Sequence, residues 1–170
     1  MYRPESIDAI VFDIGGVFVI PAPEPLQSIL AAAGIEAAFD ADAARRAHYH
    51  GIHAITELIA ANDLHESDPA MWVAYDRAYF AAVGVAPDRI DAAQQARAAS
   101  RSAADRPKVG KVWSQVLENN RDALGDIAAN RPIAVVSNND GTAAQQCVDQ
   151  RICQVGPGPH VEVAALVDSG

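Results

Sequence analysis

The stretch from residue 7 to residue 20, Ile-Asp-Ala-Ile-Val-Phe-Asp-Ile-Gly-Gly-Val-Phe-Val-Ile, constrains the fold more than any other part of the chain. An apolar run stops at one carboxylate, Asp13, and Gly15 and Gly16 follow at once. This pattern predicts a buried strand that delivers a single acid to its C-terminal end, with a tight backbone turn beyond it. In open α/β sheets, ligands bind outside the carboxyl ends of the strands. A carboxylate there is costly to desolvate unless something pairs with it or uses it. Asp13 is therefore a candidate nucleophile or metal ligand.

A chain of 170 residues has room for one domain with a real core, or for a small core plus an inserted module. Abundant alanine and only 6% aromatic residues favour helices with thin contacts over a β-sandwich. The formal net charge of -9 argues against a nucleic-acid partner, because phosphate neutralisation needs a basic patch. Cys147 and Cys153 come without a secretion signal, so they read as small buried apolar residues rather than a disulfide framework. The first residues lack a signal-peptide pattern, and no apolar run approaches the roughly 20 residues that span a bilayer. The expectation is a cytoplasmic protein with no membrane partner.

Ile7 to Val11 reads as the first buried strand and Val17 to Ile20 as a short extended piece. Pro21, Pro23 and Pro25 then mark an exit from the core. Helical spacing predicts one helix from Leu26 to before Gly34, then helices over Ala43–Ala60, Pro69–Val83 and Pro87–Ala99. Asp68 before Pro69 is a favourable N-cap with proline at the first helical position. Ser100 to Lys111 reads as a linker, and Val112 to Ala129 as an amphipathic helix. Ile133-Ala134-Val135-Val136 forms a second buried strand that ends at Ser137-Asn138. A helix over about Thr142–Gln150 and short strands at Ile152–Val155 and Ala164–Val167 complete the order, with a turn at Gly156-Pro157-Gly158-Pro159. Helix-linked buried strands predict an α/β fold with a parallel, Rossmann-like sheet.

Two strand ends thus carry groups suited to phosphate: Asp13 at the first, Ser137 and Asn138 at the second. A hydroxyl beside free N–H groups at a helix start suits an anion. A nucleophilic carboxylate beside it suits phosphoryl transfer, and a hard cation would offset the charge repulsion. Val11-Phe12-Asp13-Ile14-Gly15-Gly16-Val17 resembles the first motif of the haloacid dehalogenase-like (HAD) hydrolase superfamily, and Ile133-Ala134-Val135-Val136-Ser137-Asn138 resembles its second. The helical block between them lies where members of that family carry a cap. The resemblance implies a discontinuous HAD-like core over 1–20 and 107–170 with a helical cap over 21–106. It implies Asp13 as nucleophile, Mg2+ held by Asp13 and the Gly15 carbonyl, and a small phosphorylated substrate bound at Ser137, Asn138 and Gly16.

Two departures from the family pattern shape the expectation. Gly15 stands where family phosphatases carry the aspartate that protonates the leaving group, a contribution worth roughly 10²–10⁴-fold. The family's lysine motif and later acidic metal pair would follow a segment like Val167-Asp168-Ser169-Gly170, where this chain stops, so it reads as a C-terminally truncated hydrolase, its core incomplete. The expected activity is that of a magnesium-dependent phosphatase acting through an aspartyl-phosphate. The alternatives are a dehalogenase, which needs no leaving-group acid, and a non-catalytic remnant that binds a partner. Loss of the strand with the acidic pair would leave the Asp13 strand as an exposed sheet edge open to self-association.

Other polar groups read more plainly. His48 and His50 lie on different faces of one helix, and only His50 and His53 are neighbours, so the three predict a solvated or cleft-facing surface rather than a metal cluster. Asp140-Gly141-Thr142 reads as a turn and N-cap. Trp72, Tyr75, Tyr79 and Phe80 share helical spacing and read as the core of the helical block.

Overall fold

The computed structural model describes residues 7–62, 68–102, 111–138 and 140–169. It is a mixed α/β structure with a parallel sheet, and the chain divides into two compact units, 1–20 with 116–170 and 21–115. The second junction therefore follows residue 115. The junction expected after residue 106, like most of the expected linker, lies outside the described residues.

The first unit is built on a three-stranded sheet of β1 (Ile10–Phe12), β4 (Ile133–Ser137) and β7 (Ala165–Asp168), in the order β1-β4-β7. Both pairings are parallel, with Phe12 opposite Val135 and Ser137 opposite Asp168. Alternation along β4 puts Ile133, Val135 and Ser137 into the interior. The opposite pleat leaves Val11, Val136 and Val167 at 62%, 43% and 53% exposure. Parallel sheets are ordinarily covered on both faces; among the described residues this one is covered on one. α5 (Glu118–Ala128) packs on β6 (Val161–Val163), and α6 (Ala143–Asp149) on β5 (Cys153–Val155) and β7.

Strands β5 and β6 pair in parallel across a five-residue connection, far shorter than an ordinary parallel crossover. Gln154 makes this tight loop possible. Its Nε2 donates to the Gly156 carbonyl (3.0 Å), and its Oε1 accepts from the His160 N–H (3.2 Å). A Cβ at Gly158 would run into the end of that side chain, which would have to give up these two hydrogen bonds to make room.

The second unit is helical. α1 (Pro23–Ala32), α2 (Ala41–Asn62), α3 (Pro69–Ala82) and α4 (Ile90–Ser102, entered through a 3-10 turn at Pro87–Arg89) enclose Leu26, Leu30, Ala44, Ala47, Tyr75, Tyr79 and Phe80. Asp68 caps α3 as expected, accepting from the Ala70 N–H at 2.8 Å. Trp72 remains half-exposed at the edge of this cluster, its ring set against Tyr75 and Trp113.

Several expectations are corrected. Pro23 and Pro25 belong to the first turn of α1, where a missing N–H costs nothing, and Pro21 ends β2 (Val19–Pro21). The expected helix from Val112 begins only at Glu118, and Trp113–Val116 is a strand, β3, in a two-stranded sheet with β2. Pairing with β2 prevails over the helical spacing. β6 was not expected from the sequence.

Gly51 explains how α2 and α3 approach. Glycine inside a helix normally costs about 0.5–1 kcal/mol relative to alanine. Here a Cβ would lie 2.5 and 2.6 Å from atoms of the buried Tyr75 ring. Gly51→Ala is therefore expected to destabilise by about 1–3 kcal/mol through overpacking, despite its better helix propensity. Urea unfolding with an unchanged m-value checks this, and a stabilised variant would contradict the packing.

Candidate functional site

The turn after β1 is set by one carbonyl. Ile14 C=O accepts from the N–H groups of Val17 (3.3 Å), Phe18 (2.9 Å) and Val19 (3.1 Å). The chain thereby coils through one wide turn, and Gly16, at φ +77°, takes the left-handed conformation the reversal requires. Ile14 and Phe18 are each 2% exposed, and the Phe12 and Phe18 rings meet edge to face at 5.6 Å. Burying each of these side chains is worth about 1.5–3 kcal/mol, enough to offset the entropy of ordering two glycines. Asn120 on α5 fixes the loop from outside, its Nδ2 donating to the Val17 carbonyl at 2.7 Å.

Asp13 stands at the head of this turn, one residue beyond the β1 ladder. Its Oδ1 accepts from the Ile14 N–H at 2.7 Å. The side chain is exposed, so the desolvation cost expected of a buried strand-end acid does not arise. The Gly15 carbonyl accepts no hydrogen bond from any described residue, whereas the Gly16 N–H is committed to the Val19 carbonyl at 2.8 Å. Gly16 therefore shapes the turn but has no amide free for an anion.

Ser137 ends β4, the strand beside β1. The ladder pairs Phe12 with Val135, so Asp13 and Ser137 leave adjacent parallel strands at the same carboxyl end, one residue out of step. The residue is 6% exposed, yet its hydroxyl makes no hydrogen bond with any described residue. Asp13 and Ser137 do not bond each other. Asn138, exposed beyond Ser137, accepts at Oδ1 from the Ser169 hydroxyl.

The loop from Ser137 to α6 corrects one expectation and adds a residue. Thr142 does not cap α6; its hydroxyl donates to the Asp140 carboxylate instead. The first N–H of the helix, on Ala143, is taken by Asp168 Oδ2 at 2.9 Å. That N–H is thus not free for an anion, and α6 has only seven residues. Asp168 escaped the sequence reading, although Ala165-Leu166-Val167-Asp168 repeats the apolar-run-then-acid signal that singled out Asp13.

Among the described residues no three His, Cys, Asp or Glu side chains are grouped to hold a metal. Asp168 is not grouped with Asp13: β4 lies between their strands, and Asp168 Oδ2 is taken by the Ala143 N–H. The protein donors available to a cation are the Asp13 carboxylate and the Gly15 carbonyl. Mg2+ accepts such a partial set because it keeps several waters and takes substrate phosphate oxygens.

No family model matches this chain, and no curated protein matches it. No helix among the described residues is long and apolar enough to cross a membrane.

Of the remaining polar candidates, Cys147, Cys153, His48 and Tyr79 lie in cores. Cys147 and Cys153 are both fully buried free thiols. A hydrogen bond to Cys153, together with burial, pushes the Cys147 thiol up, which keeps it protonated. His50 and His53 are exposed as expected, but His48 is not a surface residue: it is 1% exposed, and its Nδ1 lies 2.8 Å from the Tyr75 hydroxyl. Its helix face, with Ala44, Ala47 and Gly51, is the buried one. Burial also pushes the Tyr79 phenol up, and its hydroxyl has no partner among the described residues.

Burial holds His48 at a pKa of about 4, below its ordinary 6.5. Between these values the unfolded chain binds the proton and the folded chain does not, so stability falls as pH drops from about 6.5 to about 4. The shift corresponds to a loss on the order of 3 kcal/mol. His48→Gln, which can still hydrogen-bond Tyr75, is expected to flatten that part of the curve in urea unfolding across this range. A variant with the same slope as the unmodified protein would show that another group carries it.

Proposed function

We propose that the chain is a magnesium-dependent phosphatase of small phosphorylated molecules, with a HAD-like core and a helical cap, acting in the cytoplasm. The observation that carries this reading is Ser137, a residue 6% exposed whose hydroxyl bonds no described residue and which leaves its strand beside Asp13. Its oxygen is not sealed from solvent, so it can exchange water for a phosphoryl oxygen without first breaking a protein hydrogen bond.

In this reading an Asp13 carboxylate oxygen attacks phosphorus as the bond to the leaving oxygen breaks. Ser137 Oγ and Asn138 Nδ2 donate to the phosphoryl oxygens. Asp13 and the Gly15 carbonyl would hold Mg2+, which supplies charge neutralisation between carboxylate and phosphate. Water then attacks the aspartyl-phosphate, releasing phosphate and restoring Asp13. Gly15 has no proton to give, so the leaving oxygen must depart as an anion or take its proton from water.

The test is turnover of phosphate monoesters by this chain with magnesium. A nitrophenyl phosphate is expected to react at least about 10²-fold faster than an alkyl phosphate, since a missing general acid penalises the poorer leaving group. Asp13→Asn is expected to abolish turnover. Activity that survives Asp13→Asn would sink the mechanism, and halide release without magnesium would favour the dehalogenase. The outer edge of β1, with no strand beside it among the described residues, supports self-association of this chain as a secondary proposal. A monomer at every concentration in sedimentation would overturn it.

A further inference from the structure

We infer that Asp168 and Ser169 are positioning residues that hold the Ser137–Asn138 corner from the neighbouring strand. The inference rests on the phosphatase reading for what the corner does, but not for how it is held. Two consecutive residues at the end of β7 make three bonds to the described residues Ser137, Asn138 and Ala143. The Ser169 N–H donates to the Ser137 carbonyl at 3.0 Å. The Ser169 hydroxyl donates to Asn138 Oδ1, and Asp168 Oδ2 accepts from the Ala143 N–H at 2.9 Å. The segment is therefore held at its entry and at its exit.

Each bond has a consequence for an anion at Ser137. The Ser137 side chain is held by no hydrogen bond among the described residues, so its hydroxyl is placed by its backbone, which Ser169 fixes. Occupying Asn138 Oδ1 orients the amide and leaves its two Nδ2 hydrogens as the free donors. Asp168 anchors the far end, beyond Gly141 at φ +80°, where the chain would otherwise swing. Asp168 itself bonds a backbone amide and lies two strands from Asp13, so it acts through the corner and not on the reacting atoms.

The experiment compares Asp168→Ala, Asp168→Asn and Ser169→Ala with the unmodified chain. It reads amide hydrogen exchange at Ala143 and Ser169 together with nitrophenyl phosphate kinetics. Asp168→Ala is expected to speed Ala143 exchange and lower kcat by roughly fivefold or more, the scale of a lost helix cap. Asp168→Asn keeps an oxygen that accepts from Ala143 and is expected to restore both. Ser169→Ala is expected to raise KM more than it lowers kcat, because it frees the Asn138 donors to rotate. Unchanged exchange and kinetics in Asp168→Ala would overturn the inference. So would an Asp168→Asn variant that protects Ala143 yet is as slow as Asp168→Ala, since the charge would then act directly. If the unmodified chain turns over no phosphate ester, the phosphatase reading fails alone. Hydrogen exchange then decides the positioning role: faster exchange rescued by asparagine supports it, and unchanged exchange overturns it. If Asp168→Ala does not fold, the Asp168→Asn and Ser169→Ala comparison carries the same decision.

Discussion

Everything at the carboxyl end of the sheet depends on the two-sided pairing of β4. Among the described residues it is the only strand of the three with a neighbour on each edge, so its register fixes both others. On one side Val135 opposite Phe12 decides where Asp13 emerges. On the other, Ser137 opposite Asp168 decides which residues can reach across to the loop before α6. A slip of one residue would turn Ser137 out of the interior and Val136 into it, and would part Asp168 from Ala143. The interior positions Ile133 and Val135, at 2% and 0% exposure, resist that slip, since the exchange would bring Ala134 and Val136 inward in their place.

The strands that the sequence made legible are those whose signal is local and one-sided. Val11-Phe12-Asp13 and Val135-Val136-Ser137 are apolar runs closed by a polar residue, and each marks a strand of the sheet, although the first runs over Ile10–Phe12 instead of Ile7–Val11 and is not buried, with Val11 62% exposed. The strand at Trp113–Val116 was hidden because Trp113, Val116 and Leu117 also fit helical spacing, and only pairing with β2 favours the extended form. β6, three residues after a proline-rich turn, is too short for a periodicity to show. The cap on α6 was illegible for a different reason. Asp168 lies 25 residues from Ala143, and no spacing rule for N-caps looks beyond the first turn.

The helical unit shows the same limit in its core. Spacing correctly grouped Tyr75, Tyr79 and Phe80, because they recur at helical intervals and meet in one cluster. It misjudged His48, because a histidine's place on a helix face says nothing about what that face meets. Here it meets Tyr75, whose hydroxyl satisfies one ring nitrogen and whose ring fills the space a side chain at position 51 would need. One tyrosine therefore decides two residues on α2 three positions apart: the polar one that can be buried and the one that must be glycine.

The two strand ends differ in the sign of what they leave open, and this bears most directly on the chemistry. At β1 the turn consumes donors. The N–H groups of Ile14, Gly16, Val17, Phe18 and Val19 are all bonded, while the Gly15 carbonyl and most of the Asp13 carboxylate are not. At β4 the corner consumes acceptors. The Ser137 carbonyl and Asn138 Oδ1 are bonded, while the Ser137 hydroxyl and Asn138 Nδ2 bond no described residue. Acceptors thus stand open on one strand and donors on the next, about 5 Å apart. A ligand that is only anionic would meet Asp13 as a repulsive neighbour, and one that is only cationic would leave the β4 donors unused. The pair suits a ligand that presents an anion to β4 and a cation to β1, as the proposed phosphate ester with magnesium would.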